Sequence, residues 1–109
     1  MSTHSFPVDF STIGIVGAGT MGRGIAESAL RGGCSVVLCD TSAAARTAAE
    51  ERILTALGPV GERLRTVDDI TGLTACDLVI EAVPENAELK STVLRTIEEK
   101  TSASTVIAT

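Results

Sequence analysis

The stretch Ile13-Gly14-Ile15-Val16-Gly17-Ala18-Gly19-Thr20-Met21-Gly22 decides the fold of this chain. An apolar, β-branched run ends in a Gly-x-Gly-x-x-Gly turn, and the residues that follow, 23–31, are predicted to form a helix. Gly17 permits a tight turn, Gly19 allows the backbone to approach a pyrophosphate, and Gly22 allows the helix to pack closely on the strand. This order predicts a phosphate-binding turn, because the free N–H groups and the dipole at a helix N-terminus attract anions.

A second apolar run, Ser35-Val36-Val37-Leu38-Cys39, ends at Asp40. An acidic residue at this distance from a glycine turn is expected to bind the ribose hydroxyls of a dinucleotide. Its charge also repels a 2′-phosphate, since two like charges about 4 Å apart near a protein surface cost on the order of 4 kcal/mol. No Arg follows in Thr41-Ser42, so the sequence predicts a site for NAD in preference to NADP. The alternative is that the glycines are ordinary turn residues and that Asp40 only caps the next helix.

The composition favours one packed domain. The 109 residues are 44% hydrophobic, carry a net charge of −5 and have scattered basic residues, which argues against binding to nucleic acid or to an anionic membrane surface. No apolar stretch is long enough to span a bilayer, and residues 1–11 lack the segments of a signal peptide, so a cytoplasmic protein is expected. The three cysteines show neither metal nor redox spacing and are predicted to be buried thiols.

The rest of the chain alternates strands with helices. After a flexible tail at 1–11, strands are predicted at 12–16, 35–39, 63–67, 78–83 and 105–108. Helices are predicted at 23–31, at 41–57 and from Pro84 onward, with a brief helical turn after Asp68-Asp69. This order predicts an α/β fold at 12–109, a Rossmann-type doubly wound parallel sheet of about five strands with helices on both faces.

Helical spacing predicts which side chains of these helices are buried. The residues expected to face the core are Met21, Ile25, Ala45, Ala49, Ile53 and Ala56. The charged residues Arg46, Glu50 and Glu51 are expected to form a solvated face of the second helix.

Two blocks of the sequence carry a family resemblance. The first is Gly17-Ala18-Gly19-Thr20-Met21-Gly22-Arg23-Gly24-Ile25-Ala26, and the second is Leu78-Val79-Ile80-Glu81-Ala82-Val83-Pro84-Glu85. In this order they resemble the NAD-binding domain of 3-hydroxyacyl-CoA dehydrogenases. The resemblance implies an oxidoreductase of fatty acid metabolism that transfers hydride between NAD and a 3-hydroxyacyl thioester, carried by CoA or by a carrier protein. The 3-hydroxyisobutyrate and 6-phosphogluconate dehydrogenase group shares the glycine turn but is less similar in the second block.

The resemblance also implies which residues bind the cofactor. It implies no catalytic residue and no metal ligand within these 109 residues. The matching positions are Gly17, Ala18, Gly19, Thr20, Met21, Gly22, Asp40, Ala82, Val83, Glu85 and Lys90. Ala82 and Val83 would line the cofactor with their backbone, and Glu85 and Lys90 would approach its nicotinamide side. From the residues alone, Glu85 is a helix-start acid stabilised by the dipole, and Lys90 is a solvated helix residue.

Two departures from the family pattern affect the expected activity. The family's catalytic Asn-Thr-Ser-Ser stretch and its His follow the fifth strand, whereas this chain stops at Thr109 and its only histidine is His4 in the tail. We therefore expect the 109 residues to bind cofactor without turning over substrate, the catalytic and helical C-terminal parts being absent. In addition, Gly58-Pro59-Val60-Gly61 stands where the family carries a charged helical arm that helps to hold CoA. This difference favours an acyl group on a carrier protein, or a free hydroxy acid.

Other functions remain open at this point. One alternative is a stand-alone NAD-binding or sensor module without catalysis, and another is a small hydroxy acid dehydrogenase of the 3-hydroxyisobutyrate type. In each case an exposed fifth strand is expected to pair with other copies, so a homo-oligomer is predicted.

Overall fold

The computed structural model describes residues 12–82, 107 and 108, which form one parallel sheet with helices. The strands are β1 (Thr12–Val16), β2 (Ser35–Cys39), β3 (Leu64–Val67), β4 (Leu78–Glu81) and β5 (Ile107–Ala108). The helices are α1 (Thr20–Arg31) and α2 (Ala43–Leu57), with 3-10 turns at Gly61–Arg63 and Ile70–Leu73. The strand order β3-β2-β1-β4-β5, with every pair parallel, confirms the Rossmann-type α/β prediction. It also places the topological switch point between β1 and β4, where such sheets bind ligands.

The sheet has a different cover on each face. Helices α1 and α2 pack together on one face, over the alternating residues Ile13, Ile15, Val36 and Leu38. On the opposite face, Leu73 and Cys76 pack beneath Val37, Cys39 and Val79. Each large aliphatic side chain buried here stabilises the domain by roughly 1.5–3 kcal/mol. The predicted tail at 1–11 and the predicted helix from Pro84 lie outside the described residues.

Several element boundaries differ from the predicted ones. β1 and β2 occupy the predicted residues, but α1 begins at Thr20 rather than at residue 23, because Gly22 already lies in its first turn. Strand β3 begins one residue late, because Arg63 belongs to the preceding 3-10 turn. β4 ends at Glu81, and the described residues of the predicted fifth strand, Ile107–Ala108, form β5. The predicted turn after Asp68-Asp69 is confirmed, with the Asp69 carboxylate accepting the Thr71 N–H.

The predicted buried faces of the helices are correct only in part. Met21 is 60% exposed, because it points away from the sheet at the first turn of α1. In α2, Ala49 and Ile53 are buried, but Ala56 is exposed and Leu57 is half-buried in its place. Residues four positions apart form the ridge of α2 that packs on the sheet. Ala49 and Ile53 are therefore followed on this ridge by Leu57 and not by Ala56.

The three cysteines are buried free thiols, as predicted. Within the part of the chain that the structure describes, no cluster of histidine, cysteine and acidic side chains could hold a metal ion. The described helices also include none that is both long enough and apolar enough to cross a membrane.

Candidate functional site

The glycine turn between β1 and α1 is held close to the sheet by its backbone. The Gly17 N–H donates to the Cys39 carbonyl oxygen at 2.8 Å, and Gly17 has a φ of 109°, which favours glycine. A Cβ at Gly22 would collide with the Gly17 carbonyl oxygen. Both glycines are therefore required by the fold, and together they bring the first turn of α1 against the end of β1.

Asp40 clamps this turn from the end of β2. One carboxylate oxygen, Oδ2, accepts the Ala18 N–H at 2.9 Å, and the other, Oδ1, accepts the Ser42 N–H at 2.9 Å. The cap of α2 is Ser42, whose hydroxyl oxygen accepts the Ala45 N–H, so Asp40 is more than a helix cap. Because each carboxylate oxygen has two lone pairs, the half-buried carboxylate can still accept two hydroxyl groups.

The N-terminus of α1 is left open toward solvent. Its cap residue, Gly19, has no side chain to bond the first N–H groups, and the first turn contains no acidic residue. Gly19 has an extended backbone with a φ of −76°, and a Cβ built on it would have nothing within 4 Å. The empty space above Gly19 is therefore not needed by the fold, and it gives a phosphate access to the N–H groups of the helix.

A cleft of about 320 Å³ adjoins this open helix end. It lies between α1 and α2, and its lining residues are Ala18, Gly19, Thr20, Arg23, Ala45, Ala48, Ala49 and Arg52. Its two arginines make the cleft positively charged, although Arg23 also faces Glu27 at 3.5 Å. A larger hollow of about 460 Å³ lies near the start of β3, beside Leu54 and Val60. That hollow is far from the carboxyl ends of the strands, so the smaller cleft is the better candidate for the ligand site.

The end of β4 completes the described edge of the site. The Ala82 N–H donates to the Val16 carbonyl oxygen at 2.8 Å, which places this backbone directly beside the glycine turn. Glu81, with 1% exposure, is a buried acid within a run of residues that is otherwise apolar. A carboxylate within a fully apolar strand is the signal that could have singled it out. The predicted contacts Val83, Glu85 and Lys90 lie outside the described residues.

Charged groups also surround the end of β2. Arg46 was predicted to belong to a solvated face, but it is half-buried and its Nη1 donates to the Asp40 carbonyl oxygen at 2.6 Å. Burial, with the charges of Asp40, Asp69 and Asp68, raises the pKa of the Cys39 thiol from 9.0 to about 11, and Arg46 opposes this shift. The adenosine end of the predicted site therefore has three carboxylates and one guanidinium nearby.

The arrangement fits a dinucleotide. An open helix end for phosphates, a carboxylate with spare lone pairs for ribose hydroxyls and a cleft with arginine walls meet at one edge of the sheet. The described segment 12–82 contains no histidine, so no imidazole base lies within it.

A family model matches residues 12–109 of the chain, described as "3-hydroxyacyl-CoA dehydrogenase, NAD binding domain". Among curated proteins, the chain is 41% identical to 5-formyl-3-hydroxy-2-methylpyridine 4-carboxylate 5-dehydrogenase of Mesorhizobium japonicum over 109 aligned residues, covering 88% of this chain and 35% of that protein. It is 35% identical to 3-hydroxyadipyl-CoA dehydrogenase of Escherichia coli, covering 94% of this chain and 24% of that protein.

Solved structures of dehydrogenases also superpose on this chain. The (S)-3-hydroxybutyryl-CoA dehydrogenase of Ralstonia eutropha superposes with a TM-score of 0.81 and 32% identity. This match covers 91% of the present chain but only 40% of the dehydrogenase. The chain thus spans well under half the length of each of these relatives.

Proposed function

Because this chain belongs to the 3-hydroxyacyl-CoA dehydrogenase family through its NAD-binding domain, we propose that it is the cofactor-binding part of an NAD-dependent dehydrogenase. The observation that carries the proposal is the double hydrogen bond from the glycine turn and Ser42 to the Asp40 carboxylate. This contact fixes the phosphate-binding turn and the ribose-binding acid relative to each other. Bound NAD would supply the hydride acceptor, and NADH the hydride donor.

The residues of the chain bind and orient the cofactor in this proposal. The open N-terminus of α1, at Gly19 and Thr20, receives the pyrophosphate, and Asp40 receives ribose hydroxyls. The backbone at Ala82 lines the cofactor where β4 meets β1. The family resemblance supports Val83 as a further backbone contact, and Glu85 and Lys90 as contacts on the nicotinamide side.

For the whole protein, we propose a 3-hydroxyacyl thioester as the substrate, oxidised to the 3-oxo form or produced from it. The family and the name of the E. coli relative support this substrate class. The catalytic base of this reaction would lie outside the 109 residues, so these residues alone are expected to bind NADH without turnover. Affinity of the whole protein for acetoacetyl-CoA is the direct test, and its absence would contradict a CoA thioester.

A second candidate is a small free acid as substrate. The segment between α2 and β3 is short, and its Arg63 guanidinium donates to the carbonyl oxygens of Leu30 and Cys34 instead of facing a ligand. The relative from Mesorhizobium is named for a pyridine carboxylate rather than for a CoA ester. Acetoacetyl-CoA binding by the whole protein that is lost when residues 58–61 are replaced would rule out this candidate.

The cofactor proposal is tested by titrating the 109-residue chain into NADH and, separately, into NADPH. The chain has no Trp or Tyr, so nicotinamide fluorescence is free of protein emission. We expect saturable NADH binding that is tighter than NADPH binding and is weakened by Asp40→Ala. The matched control is Glu51→Gln, an exposed acid of α2, which should leave binding unchanged. No binding of either nucleotide would contradict the proposal.

We also propose that the protein is cytoplasmic and that it forms homo-oligomers. Self-association is supported by the edges of the parallel sheet, which present unpaired backbone groups. Strand β3 is one such edge in the described sheet. Light scattering of the purified chain tests self-association, and a monomer at high concentration would contradict it.

A further inference from the structure

The Asp40 carboxylate lies among groups that would bind an anion of any kind. Its two oxygens accept the N–H groups of Ala18 and Ser42, each at 2.9 Å. Both donors belong to the backbone, and the bond from the Gly17 N–H to the Cys39 carbonyl oxygen holds the glycine turn independently of the side chain at position 40. Ser42 also begins α2, a helix of 15 residues without an acidic residue in its first turn, so the helix dipole adds positive potential.

Arg46 places a guanidinium near these donors, at the backbone carbonyl of residue 40 and outside ion-pair distance of the Asp40 carboxylate. It lies one turn into α2 and folds back, so that Nη1 donates to the Asp40 carbonyl oxygen at 2.6 Å. Within residues 12–82 its guanidinium makes no ion pair, and this carbonyl is its one hydrogen-bond partner. A guanidinium has five N–H donors in a planar fork that suits phosphate, so most of the binding capacity of Arg46 is unused.

We propose that Arg46, the Ser42 N–H and the Ala18 N–H form a latent receptor for the 2′-phosphate of NADP, whose two backbone N–H groups are occupied by the Asp40 carboxylate in the native chain. This inference rests on the proposed function, because it concerns the same dinucleotide site. Preference for NAD then depends on one carboxylate and not on the absence of an arginine. The guanidinium is already held at the ribose end by its bond to the backbone of residue 40.

Two other acids limit the size of the effect. Asp68 and Asp69, at the end of β3, act with Asp40 on the buried Cys39 thiol, so their charges reach this end of the sheet. Both are exposed, so salt and water screen them more than they screen Asp40. Loss of the Asp40 charge is therefore expected to give acceptance of both nucleotides rather than a complete reversal to NADP.

The experiment compares NADH and NADPH titrations of the native chain, Asp40→Ala and Asp40→Ala/Arg46→Ala. In Asp40→Ala we expect NADH affinity to fall roughly tenfold and NADPH affinity to rise roughly tenfold, since a repulsive charge is removed and charge-assisted hydrogen bonds form. Adding Arg46→Ala should abolish the gain for NADPH, measured as the ratio of NADPH affinity to NADH affinity within each variant. Adding Arg31→Ala instead, an exposed arginine at the end of α1, should not change the gain.

Displacement of bound NADH by adenosine 2′,5′-bisphosphate is then compared with displacement by 5′-AMP. The difference measures the contribution of the 2′-phosphate to binding. The bisphosphate should displace NADH better than 5′-AMP from Asp40→Ala, and worse than 5′-AMP from the native chain. Circular dichroism and retained NADH binding show that a variant is folded. If Asp40→Ala does not fold, Asp40→Ser, whose shorter side chain leaves room for the phosphate and keeps one acceptor oxygen, is judged by the same criteria.

The outcomes separate the two proposals. A native chain that binds neither nucleotide overturns the proposed function and this inference with it. A native chain that binds NADH, together with a folded Asp40 variant that gains no NADPH affinity, overturns only the latent receptor. A gain that persists after Arg46→Ala also overturns it, because the phosphate would then be held by other groups.

Discussion

Two glycine-containing turns of this domain differ in how the polar backbone groups at the neighbouring helix end are paired. The turn at 17–19 leads from β1 into α1, and the turn at 58–63 leads from α2 into β3; both have glycines with positive φ, namely Gly17, Gly58 and Gly61. The first leaves the N–H groups of α1 without a side-chain cap, beside a cleft. The second is closed, because Arg63 donates to the carbonyl oxygens of Leu30, in the last turn of α1, and of Cys34, just after that helix.

The comparison shows how backbone groups distinguish a binding turn from a supporting one. Polar groups at a helix end need partners, and the closed turn obtains them from the chain itself. The open turn leaves its helix N–H groups available to a ligand. It is fixed instead by hydrogen bonds to the Cys39 carbonyl oxygen and the Asp40 carboxylate. Four predictions test this difference between the open turn and the closed turn.

The largest effect is expected from Gly22→Ala, which disrupts the close packing of α1 on the open turn. The added Cβ would collide with the Gly17 carbonyl oxygen, so backbone must shift, at a cost of about 3 kcal/mol in the free energy of unfolding. Gly24→Ala is the matched control, because its Cβ would meet nothing within 4 Å, and alanine should stabilise the helix by about 0.5–1 kcal/mol. Urea unfolding measures both, and equal effects would refute the packing role of Gly22.

Arg63→Ala breaks the closed turn. Two carbonyl oxygens lose a charged donor, which water replaces in part because Arg63 is exposed, so we expect the free energy of unfolding to fall by about 1.5 kcal/mol while NADH affinity stays unchanged. Arg65→Ala, at an exposed position of β3, is the control for loss of positive charge. A variant that keeps its stability but loses NADH affinity would show that this turn belongs to the ligand site after all.

Gly19→Ala fills the open turn without disturbing the fold. The backbone at Gly19 is extended and the space for a Cβ is empty, so the free energy of unfolding should change by less than about 0.5 kcal/mol. NADH affinity should fall at least roughly tenfold, or about 1.4 kcal/mol, because the methyl group occupies the approach of the pyrophosphate. Fluorescence titration and urea unfolding of the same sample decide the outcome, and unchanged affinity would place the phosphates elsewhere.

The smallest effect concerns the cysteine at the base of each turn. Burial and three acids raise the pKa of Cys39 to about 11, whereas beside the closed turn burial raises the pKa of Cys34 and Arg63 lowers it. The folded chain thus keeps the Cys39 proton to a higher pH than the unfolded chain, whose thiol has a pKa near 9.0. This stabilisation is complete below about pH 9 and is lost as pH rises toward 11, by about 1 kcal/mol at pH 10.

Cysteine variants separate the two thiols. Cys39→Ala should flatten the fall of stability between pH 8 and pH 10 more than Cys34→Ala does, as followed by urea unfolding at each pH. Cys76, whose pKa burial also raises to about 11, remains in both variants and contributes equally to each. An equal change of slope in the two variants would mean that the acids near the open turn do not act on Cys39.

Much of the fold was predictable because its signals are local. The bounds of β1 and β2 were predicted correctly, since an apolar run that stops at a glycine or an acid identifies a buried parallel strand. The start of α1 was placed three residues late, because only the packing of Gly22 against Gly17 shows that the third glycine lies inside the helix. Met21 was wrongly predicted to be buried, because helical spacing does not reveal that the first turn projects beyond the sheet.

The approach of the glycine turn to Asp40 was predictable, but most of the contacts around it were not. Gly17, Gly19 and Asp40 follow from motif and spacing, whereas the interpretation of Arg46 as a solvated residue was wrong. Six positions separate Arg46 from Asp40 in sequence, and only the path of the chain from β2 into α2 brings the guanidinium back to that carbonyl oxygen. Arg63 is a similar case, with partners about thirty residues away.

The sequence by itself determined the order of strands and helices, the glycine turn and the acid that follows β2, because each is set by neighbours a few residues apart. The tertiary structure decided the use of each group: Gly22 serves packing and Gly19 leaves space, Asp40 clamps the turn, and Arg63 closes the opposite one. The physical reason is that backbone conformation and hydrophobic periodicity are local properties. The partner of a polar group depends on which distant segments the folded sheet brings within hydrogen-bonding distance.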